Sequence, residues 1–169
     1  HQLYVGAAVP VTEAAFPGTT MDGKVDRQRL AAVLLAEPGR FKRLEAIVHP
    51  LVLEAERDFL RREAAKGAGM VVLEIPLLLE TGGERRVDAV VVVSAPTEAQ
   101  RTRVMGRPGM TLEKLEQMLS RQMSDAEKRT KADFVVDTSG TFEETYAQVD
   151  RIVESLWARP AAAFTRYWA

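Results

Sequence analysis

The chain has 169 residues, 46% of them hydrophobic and 28% charged, which is typical of a globular protein and enough for one core but hardly two independent ones. Lysine and arginine number 23 against 24 aspartates and glutamates, and this balance argues against a protein that grips nucleic acid by bulk charge. The absence of cysteine excludes disulfides, thiolate zinc sites and cysteine nucleophiles, and two histidines are too few for a multi-histidine metal site.

No apolar run approaches the ~20 residues that a membrane span needs, and no signal peptide is visible, so the sequence predicts a cytoplasmic protein. The first residue is His1 rather than methionine, and we expect that the sequence is cut at its N-terminus. Neither G-x-x-x-x-G-K-[ST] nor G-x-G-x-x-G occurs in the chain. In α/β nucleotide enzymes the phosphate loop often lies in the first strand–helix turn, so any such loop is expected upstream of His1.

The first part of the chain is predicted to be helical. Asp26 can cap a helix whose apolar residues recur at helical spacing. The apolar positions of this helix and of the next one are Leu30, Val33, Leu34, Phe41, Leu44, Ile47 and Val48. Pro50 is expected to interrupt the second helix, which resumes over 51–65 and is closed by Lys66 and Gly67.

Three short valine-rich runs read as buried strands: Met70–Pro76, Val87–Ser94 and Ala132–Asp137. Alternation of these strands with helices predicts an α/β fold with an open parallel sheet sandwiched by helices. Ligands of such sheets bind outside the carboxyl ends of the strands.

Three capping boxes are predicted to start helices, at Thr97-x-x-Gln100, Ser124-x-x-Glu127 and Thr141-x-x-Glu144. The apolar stripe of the last helix is Phe142, Tyr146, Val149, Ile152, Val153 and Leu156. Beyond Trp157 the period is lost, and a frayed tail is expected over 158–169.

Arginine is the densest chemical signal, with Arg101, Arg103 and Arg107 soon after the second predicted strand and Arg121 later. Guanidinium groups bind phosphate in bidentate fashion, so the cluster suits a phosphoryl-transfer site. The alternative is a solvated helix face with weak surface ion pairs. Likewise, the basic stretch from Arg107 fits either a mobile lid over phosphates or a helical hairpin packed on the core.

Two further positions are ambiguous. Glu74, at a predicted strand end, can hold a magnesium-bound water, although acids at strand ends are common. His49 before Pro50 can bind a ligand or serve as a structural polar contact.

The chain resembles the dephospho-CoA kinase family in six runs that keep the family's order and spacing from about Asp22 to Leu156. They are Gly23-Lys-Val-Asp-Arg27, Leu44-Glu-Ala-Ile-Val-His-Pro50, Ile75-Pro-Leu-Leu-Leu-Glu80, Gln100-Arg-Thr-Arg103 with Arg107, Arg121-Gln122, and Ala132-Asp-Phe-Val-Val-Asp137 with Gly140. The resemblance implies a P-loop kinase fold that uses ATP and magnesium to phosphorylate the ribose 3′-hydroxyl of dephospho-CoA.

The resemblance also implies an organisation within one kinase-like domain. Residues 1–66 form a mainly helical acceptor-binding part, 67–100 and 132–157 the nucleotide core, and 101–131 a lid, with 158–169 as the tail. The implied partners are the small molecules ATP and dephospho-CoA, with no nucleic acid or membrane.

Site roles follow from the same match. The resemblance implies that Arg107 and Arg121 supply the positive charge for catalysis. It places the general base and the phosphate-loop lysine upstream of His1, so the chain alone is expected to be inactive. The acceptor residues are His49, Pro50, Leu77 and Glu80; the ATP residues are Arg103, Arg107, Asp137, Thr138 and Gly140; and Glu74 is the indirect magnesium residue.

Two positions depart from the family pattern, which usually has aspartate at Glu74 and asparagine at Thr138. Two alternatives remain: another small-molecule kinase of the nucleoside-monophosphate type, and a non-catalytic α/β module that binds a nucleotide or CoA. The first should not carry the Leu44–Pro50 run, and the second would truly lack the phosphate loop.

Overall fold

In the computed structural model of the chain, which describes residues 5–37 and 39–169, the backbone divides between Gly69 and Met70 into two units. Within these described residues, none of the helices combines the length and the apolar character that crossing a bilayer requires. The chain is an α/β protein with a small parallel sheet flanked by helices, as the sequence predicts.

The first unit packs three helices around a short hairpin. Its elements are α1 (Ala8–Ala15), β1 (Thr20–Met21), β2 (Lys24–Val25), α2 (Arg27–Leu35) and α3 (Gly39–Ala65). β1 and β2 pair antiparallel, and both residues of their turn, Asp22 and Gly23, have positive φ angles of 51° and 71°. Asp-Gly is the sequence that such a two-residue turn favours.

The predicted helix starts and faces of this unit are confirmed. The Asp26 carboxylate accepts hydrogen bonds from the N–H groups of Gln28 and Arg29 at the start of α2. Leu30 and Leu34 are buried in the core of the unit together with Phe16 and Val25, and helix α3 packs against it.

The expected interruption at Pro50 is wrong, because α3 runs through it without a break. An interior proline removes one helical hydrogen bond and costs about 3 kcal/mol. Leu44 and Ile47 of the same helix pack against the core and offset this cost. The predicted end is confirmed, since Gly67 adopts a φ of 80° just beyond Ala65.

The second unit holds the parallel sheet. Its elements are a 3-10 helix (Gly83–Arg86), β3 (Val91–Ser94), α4 (Thr97–Met105), α5 (Leu112–Leu119), α6 (Asp125–Lys131), β4 (Phe134–Asp137), α7 (Phe142–Trp157) and a π-helix (Phe164–Trp168). β3 and β4 pair in register from Val91 opposite Phe134 to Ser94 opposite Asp137. The three intervening helices form the crossover, and the two carboxyl ends lie side by side.

The predicted strand at Met70–Pro76 is wrong, since these residues form no strand. A strand is defined by hydrogen bonds to a neighbour, and no strand within 5–37 or 39–169 pairs with this segment. Val72 is accordingly 81% exposed rather than buried.

Two of the three capping boxes are confirmed, at Ser124 with Glu127 and at Thr141 with Glu144. The box at Thr97 is wrong because Pro96 occupies the N-cap position and no side chain caps the helix. Gln100 instead donates its side-chain amide to the carbonyl of Ala95 at 2.7 Å.

Helix α7 has the predicted bounds, but its apolar stripe is not buried. Phe142 and Tyr146 are 77% and 64% exposed, and their rings stack with centroids 6.4 Å apart. No other part of the chain that the structure describes buries these two rings.

The expectation of a frayed tail is also wrong. Trp168 is only 5% exposed and donates its indole N–H to the carbonyl of Arg86 at 2.8 Å. The backbone N–H groups of Ala162 and Ala163 donate to one carboxylate oxygen of Asp88 at 2.7 and 2.8 Å. The last residues therefore belong to the packed structure of the second unit.

Candidate active site

The carboxyl ends of β3 and β4 are joined by the residue that follows β4. The carbonyl of Ser94 accepts hydrogen bonds from the backbone N–H of Thr138 at 2.9 Å and from its hydroxyl at 3.0 Å. These bonds extend the pairing of the sheet by one residue and fix where the 137–140 loop begins.

Arg103 of α4 is bound to the same loop. Its two terminal nitrogens donate to the hydroxyl of Thr138 at 3.1 Å and to the Thr138 carbonyl at 2.7 Å. The hydroxyl of Thr138 thus accepts from Arg103 while donating to Ser94. The structure therefore brings Arg103 together with the predicted nucleotide loop.

The side chain of Ser94 organises a second set of contacts that the sequence reasoning missed. Its hydroxyl, on a residue that is 3% exposed, donates to the carboxylate of Asp125 at 2.9 Å. It also accepts from the guanidinium of Arg129 at 3.1 Å. The only available signal was a polar residue at the end of a valine-rich strand, and it did not reveal partners more than thirty residues away.

Asp137 ends β4 with a fixed charge. Hydrogen bonds from the hydroxyl and the backbone N–H of Ser139, assisted by the nearby charge of Arg129, hold the pKa of Asp137 below its usual value. Gln148 of α7 brackets the backbone of Asp137 by accepting from its N–H and donating to its carbonyl, each at 2.9 Å. Asp137 is therefore an ionised, well-placed carboxylate.

Gly140 leaves space for the side chain of Glu144 at the start of α7. A Cβ atom at this position would collide with the carboxylate of Glu144. That carboxylate accepts from the backbone N–H of Thr141 at 2.8 Å and completes the capping box of α7. The glycine thus makes room for a cap that starts α7 immediately after the loop.

Arg107 and Arg121 lie in the turns on either side of α5. Arg107 follows α4 in a turn closed by Gly109, whose φ is 74°, and Arg121 follows the last turn of α5. Both arginines are exposed. Helix α5 contacts α4 and buries Leu115, so the segment is a helical hairpin with basic turns.

Glu80 contacts the other end of this hairpin. One carboxylate oxygen accepts from the backbone N–H of Met123 at 2.7 Å and lies 3.0 Å from the ammonium nitrogen of Lys128. Partial burial raises the pKa of Glu80, but the N–H groups of Met123 and of Glu80 itself, together with Lys128, lower it by more, and the net shift is downward. Glu80 is thus held as a carboxylate.

The described residues do not form a magnesium centre by themselves. Within 5–37 and 39–169, no group of three or more histidine, cysteine, aspartate or glutamate side chains converges on a point. Glu74 is exposed and offers a single carboxylate. Proteins typically bind Mg²⁺ through one or two carboxylates together with substrate phosphates, so a single acid can contribute to such a site but does not form it without the phosphates.

The predicted acceptor residues lie in both units. His49 and Pro50 are exposed on α3 of the first unit. Leu77 is half-buried in the second unit and its carbonyl accepts from the backbone N–H of Thr81 at 3.1 Å.

Comparisons with known proteins agree on one family. The sequence model of dephospho-CoA kinase matches residues 12–144. A dephospho-CoA kinase from Brucella melitensis is 55% identical over 164 residues, which cover 96% of this chain and 82% of the relative. One from Rhizobium etli is 55% identical over 161 residues, covering 95% of this chain and 79% of the relative.

Solved structures show the same fold. The crystal structure of TT1252 from Thermus thermophilus superposes with a TM-score of 0.73 at 33% identity, covering 92% of this chain and 80% of the other. A dephospho-CoA kinase from Campylobacter jejuni gives a TM-score of 0.62 at 21% identity over 92% of this chain and 79% of the other.

Proposed function

Since this chain belongs to the dephospho-CoA kinase family, we propose that the carboxyl edge of β3 and β4 is its ATP site. The activity is transfer of the γ-phosphoryl group of ATP to the ribose 3′-hydroxyl of dephospho-CoA, which yields CoA and ADP in the final step of coenzyme A biosynthesis. The single observation that supports the ATP site best is the double hydrogen bond from Arg103 to Thr138.

The 137–140 loop would border the nucleoside end of ATP. Ligands of open α/β sheets sit outside the carboxyl ends of the strands, which is where this loop lies. The hydroxyl of Thr138 is engaged by Ser94 and Arg103, so we assign Thr138 to shaping the loop through its backbone and hydroxyl. Asp137 and Gly140 set the two ends of the loop.

Arg107 and Arg121 would supply positive charge to the triphosphate. Phosphoryl transfer depends on positioning and on stabilising the charge that spreads over the phosphoryl oxygens in the transition state. Arg107 and Arg121 are exposed in the turns of the hairpin, and the guanidinium group is suited to binding phosphate oxygens in pairs. A hairpin of this kind can approach the nucleotide as a lid.

In the reaction, the ribose 3′-oxygen bonds to the γ-phosphorus while the bond between that phosphorus and the β–γ bridging oxygen breaks. The hydroxyl proton passes to a general base, for which we assign no residue within 5–37 and 39–169. His49, Pro50 and Leu77 are proposed to contact the acceptor.

We further propose that ATP acts with Mg²⁺, held largely by phosphate oxygens as is typical of this ion, with Glu74 as the indirect protein contact. The reaction and its substrates favour the cytoplasm as its location, since ATP is available there.

A coupled ADP-release assay on the full-length protein tests these proposals. Dephospho-CoA, AMP, CMP and 4′-phosphopantetheine are offered as acceptors with MgATP, with ATP and EDTA in parallel. We expect turnover with dephospho-CoA alone and loss of turnover with EDTA. Comparable turnover with AMP or CMP would identify a nucleoside-monophosphate kinase, and ATP binding without turnover on any acceptor would identify a binding module.

A further inference from the structure

Two segments that are far apart in sequence meet at Glu80. The residue lies just before the 3-10 helix, while Met123 and Lys128 flank the start of α6, and the Glu80 carboxylate bonds to both. The side chains of Glu80 and Lys128 are only 15% and 18% exposed, so the contact is shielded from water. An ion pair of this kind is much less screened than one at the surface.

Both the backbone and the side chain of Met123 are held. Its N–H donates to Glu80 at 2.7 Å, and its side chain packs against the core formed by Leu79, Val90 and Val92. This fixes the lid base, which we define as residues 121–124, between the hairpin and α6. Arg121 is two residues from the anchored amide.

The contacts of Glu80 leave little of its carboxylate for a substrate. One oxygen is taken by Met123 and Lys128. The other is buried and has no hydrogen-bond partner in the described part of the chain. A substrate hydroxyl would need an exposed carboxylate oxygen. The contacts of Glu80 therefore favour a role in positioning other parts of the protein over the acceptor contact predicted from sequence.

We propose that Glu80 is a positioning residue that, through the Met123 amide and Lys128, anchors the lid base and so places Arg121 for phosphoryl transfer. The proposal rests on the function proposed above for Arg121. It adds that a carboxylate outside the hairpin sets the position of one end of the lid.

The test uses the full-length enzyme with Glu80→Gln, Lys128→Met, the double variant and Arg121→Ala. Glutamine keeps an acceptor for the Met123 amide but removes the charge, and methionine removes the cation and leaves the amide bond. Arg159→Met is the control for the loss of an ion pair elsewhere in the same unit, because it breaks the more exposed pair that Arg159 forms with Asp133 at 2.9 Å. Turnover number, both Michaelis constants, urea unfolding and hydrogen exchange of the Met123 amide are measured.

We expect Glu80→Gln and Lys128→Met each to lower kcat about 10- to 100-fold, the range for a slightly misplaced catalytic group. The Michaelis constant for dephospho-CoA should change less than about twofold, and the double variant should be no worse than either single one, because both act through one contact. The Met123 amide should exchange faster in Glu80→Gln, because a neutral acceptor binds it more weakly than a carboxylate does, and the Arg159→Met enzyme should keep its kinetic constants.

Three results overturn the anchor, and a fourth overturns the lid role on which it rests. A raised Michaelis constant for dephospho-CoA with unchanged kcat in Glu80→Gln would make Glu80 an acceptor contact. Reduced urea stability with normal kcat would make the pair merely structural. If Glu80→Gln has a normal kcat while Arg121→Ala has a reduced one, the anchor is refuted and the role of Arg121 stands. If Arg121→Ala itself has a normal kcat, the proposed role of Arg121 in the lid is refuted, and the anchor with it.

Discussion

The guanidinium of Arg103 in α4 binds Thr138 twice, at the hydroxyl and at the carbonyl, and so ties the first helix after β3 to the loop after β4. The planar fork of arginine can span two acceptors at once, whereas a lysine ammonium cannot reproduce that geometry. The relation makes Arg103 a support of the proposed nucleotide loop.

Arg103→Lys should therefore weaken ATP binding. We expect the Michaelis constant for ATP to rise about 10- to 150-fold, the equivalent of losing one hydrogen bond to a charged group, which contributes about 1.5–3 kcal/mol. The constant for dephospho-CoA should stay within about twofold. Thr138→Val, which removes only the hydroxyl, is the milder companion variant, and equal effects on both substrates would contradict the assignment.

Arg107→Ala should lower turnover without disturbing the fold. Removing one electrostatic contact to the transition state costs about 2–4 kcal/mol, which corresponds to roughly 30- to 1,000-fold in kcat. Arg151→Ala, which removes another exposed arginine of the second unit, on α7, is the matched control for lost charge. Equal kinetic constants for the Arg107→Ala and wild-type enzymes would remove Arg107 from the site.

His49→Ala should raise the Michaelis constant for dephospho-CoA about fivefold, the size of one hydrogen bond, and leave that for ATP unchanged. Because His49 is exposed on α3, its removal should change the free energy of unfolding by less than about 0.5 kcal/mol. Kinetics and urea unfolding on the same preparation check both statements. Equal changes for the two substrates, or loss of folding, would return His49 to a structural role.

Acid should destabilise the second unit through Asp133. The Val90 N–H, followed by Arg159, lowers the pKa of Asp133 in the folded chain. A carboxyl with a depressed folded pKa contributes stability above its unfolded pKa, and this contribution is lost as pH falls through the folded pKa. Urea unfolding between pH about 5 and about 2 should show this loss.

Asp133→Asn should reduce the slope of stability against pH in that acidic range. Arg159→Met should reduce it less, because the Val90 N–H still donates to the carboxylate at 2.9 Å. Identical slopes for wild type and Asp133→Asn would show that another group carries the dependence.

The features that were predictable from sequence are local. The cap at Asp26 and the box at Thr141 and Glu144 join residues within three positions, so their spacing in the sequence is almost their geometry. Proline at position 50 shows the limit of such rules, because packing of neighbouring residues decides whether the helix continues.

The site depends on contacts that no local pattern encodes. Arg103 and Thr138 are 35 positions apart, and Glu80 and Met123 are 43 apart. The sequence placed residues 137–140 at the end of a strand, where the structure also has them, but it did not predict that Ser94 contacts Thr138, Asp125 and Arg129. Likewise, Met70–Pro76 has the composition of a strand but forms none, because no described strand pairs with it. Composition alone does not show whether a pairing partner is present.

Because Trp168 is buried, its indole can serve as an intrinsic fluorescence probe of the second unit. The chain has two tryptophans, and Trp157 is 61% exposed while Trp168 is 5% exposed beside the Arg86 guanidinium. Replacing Trp157 with phenylalanine would leave one indole whose emission shifts to longer wavelength when the region around Asp88 opens. Fluorescence could then follow this region in the same cuvette as the kinase assay.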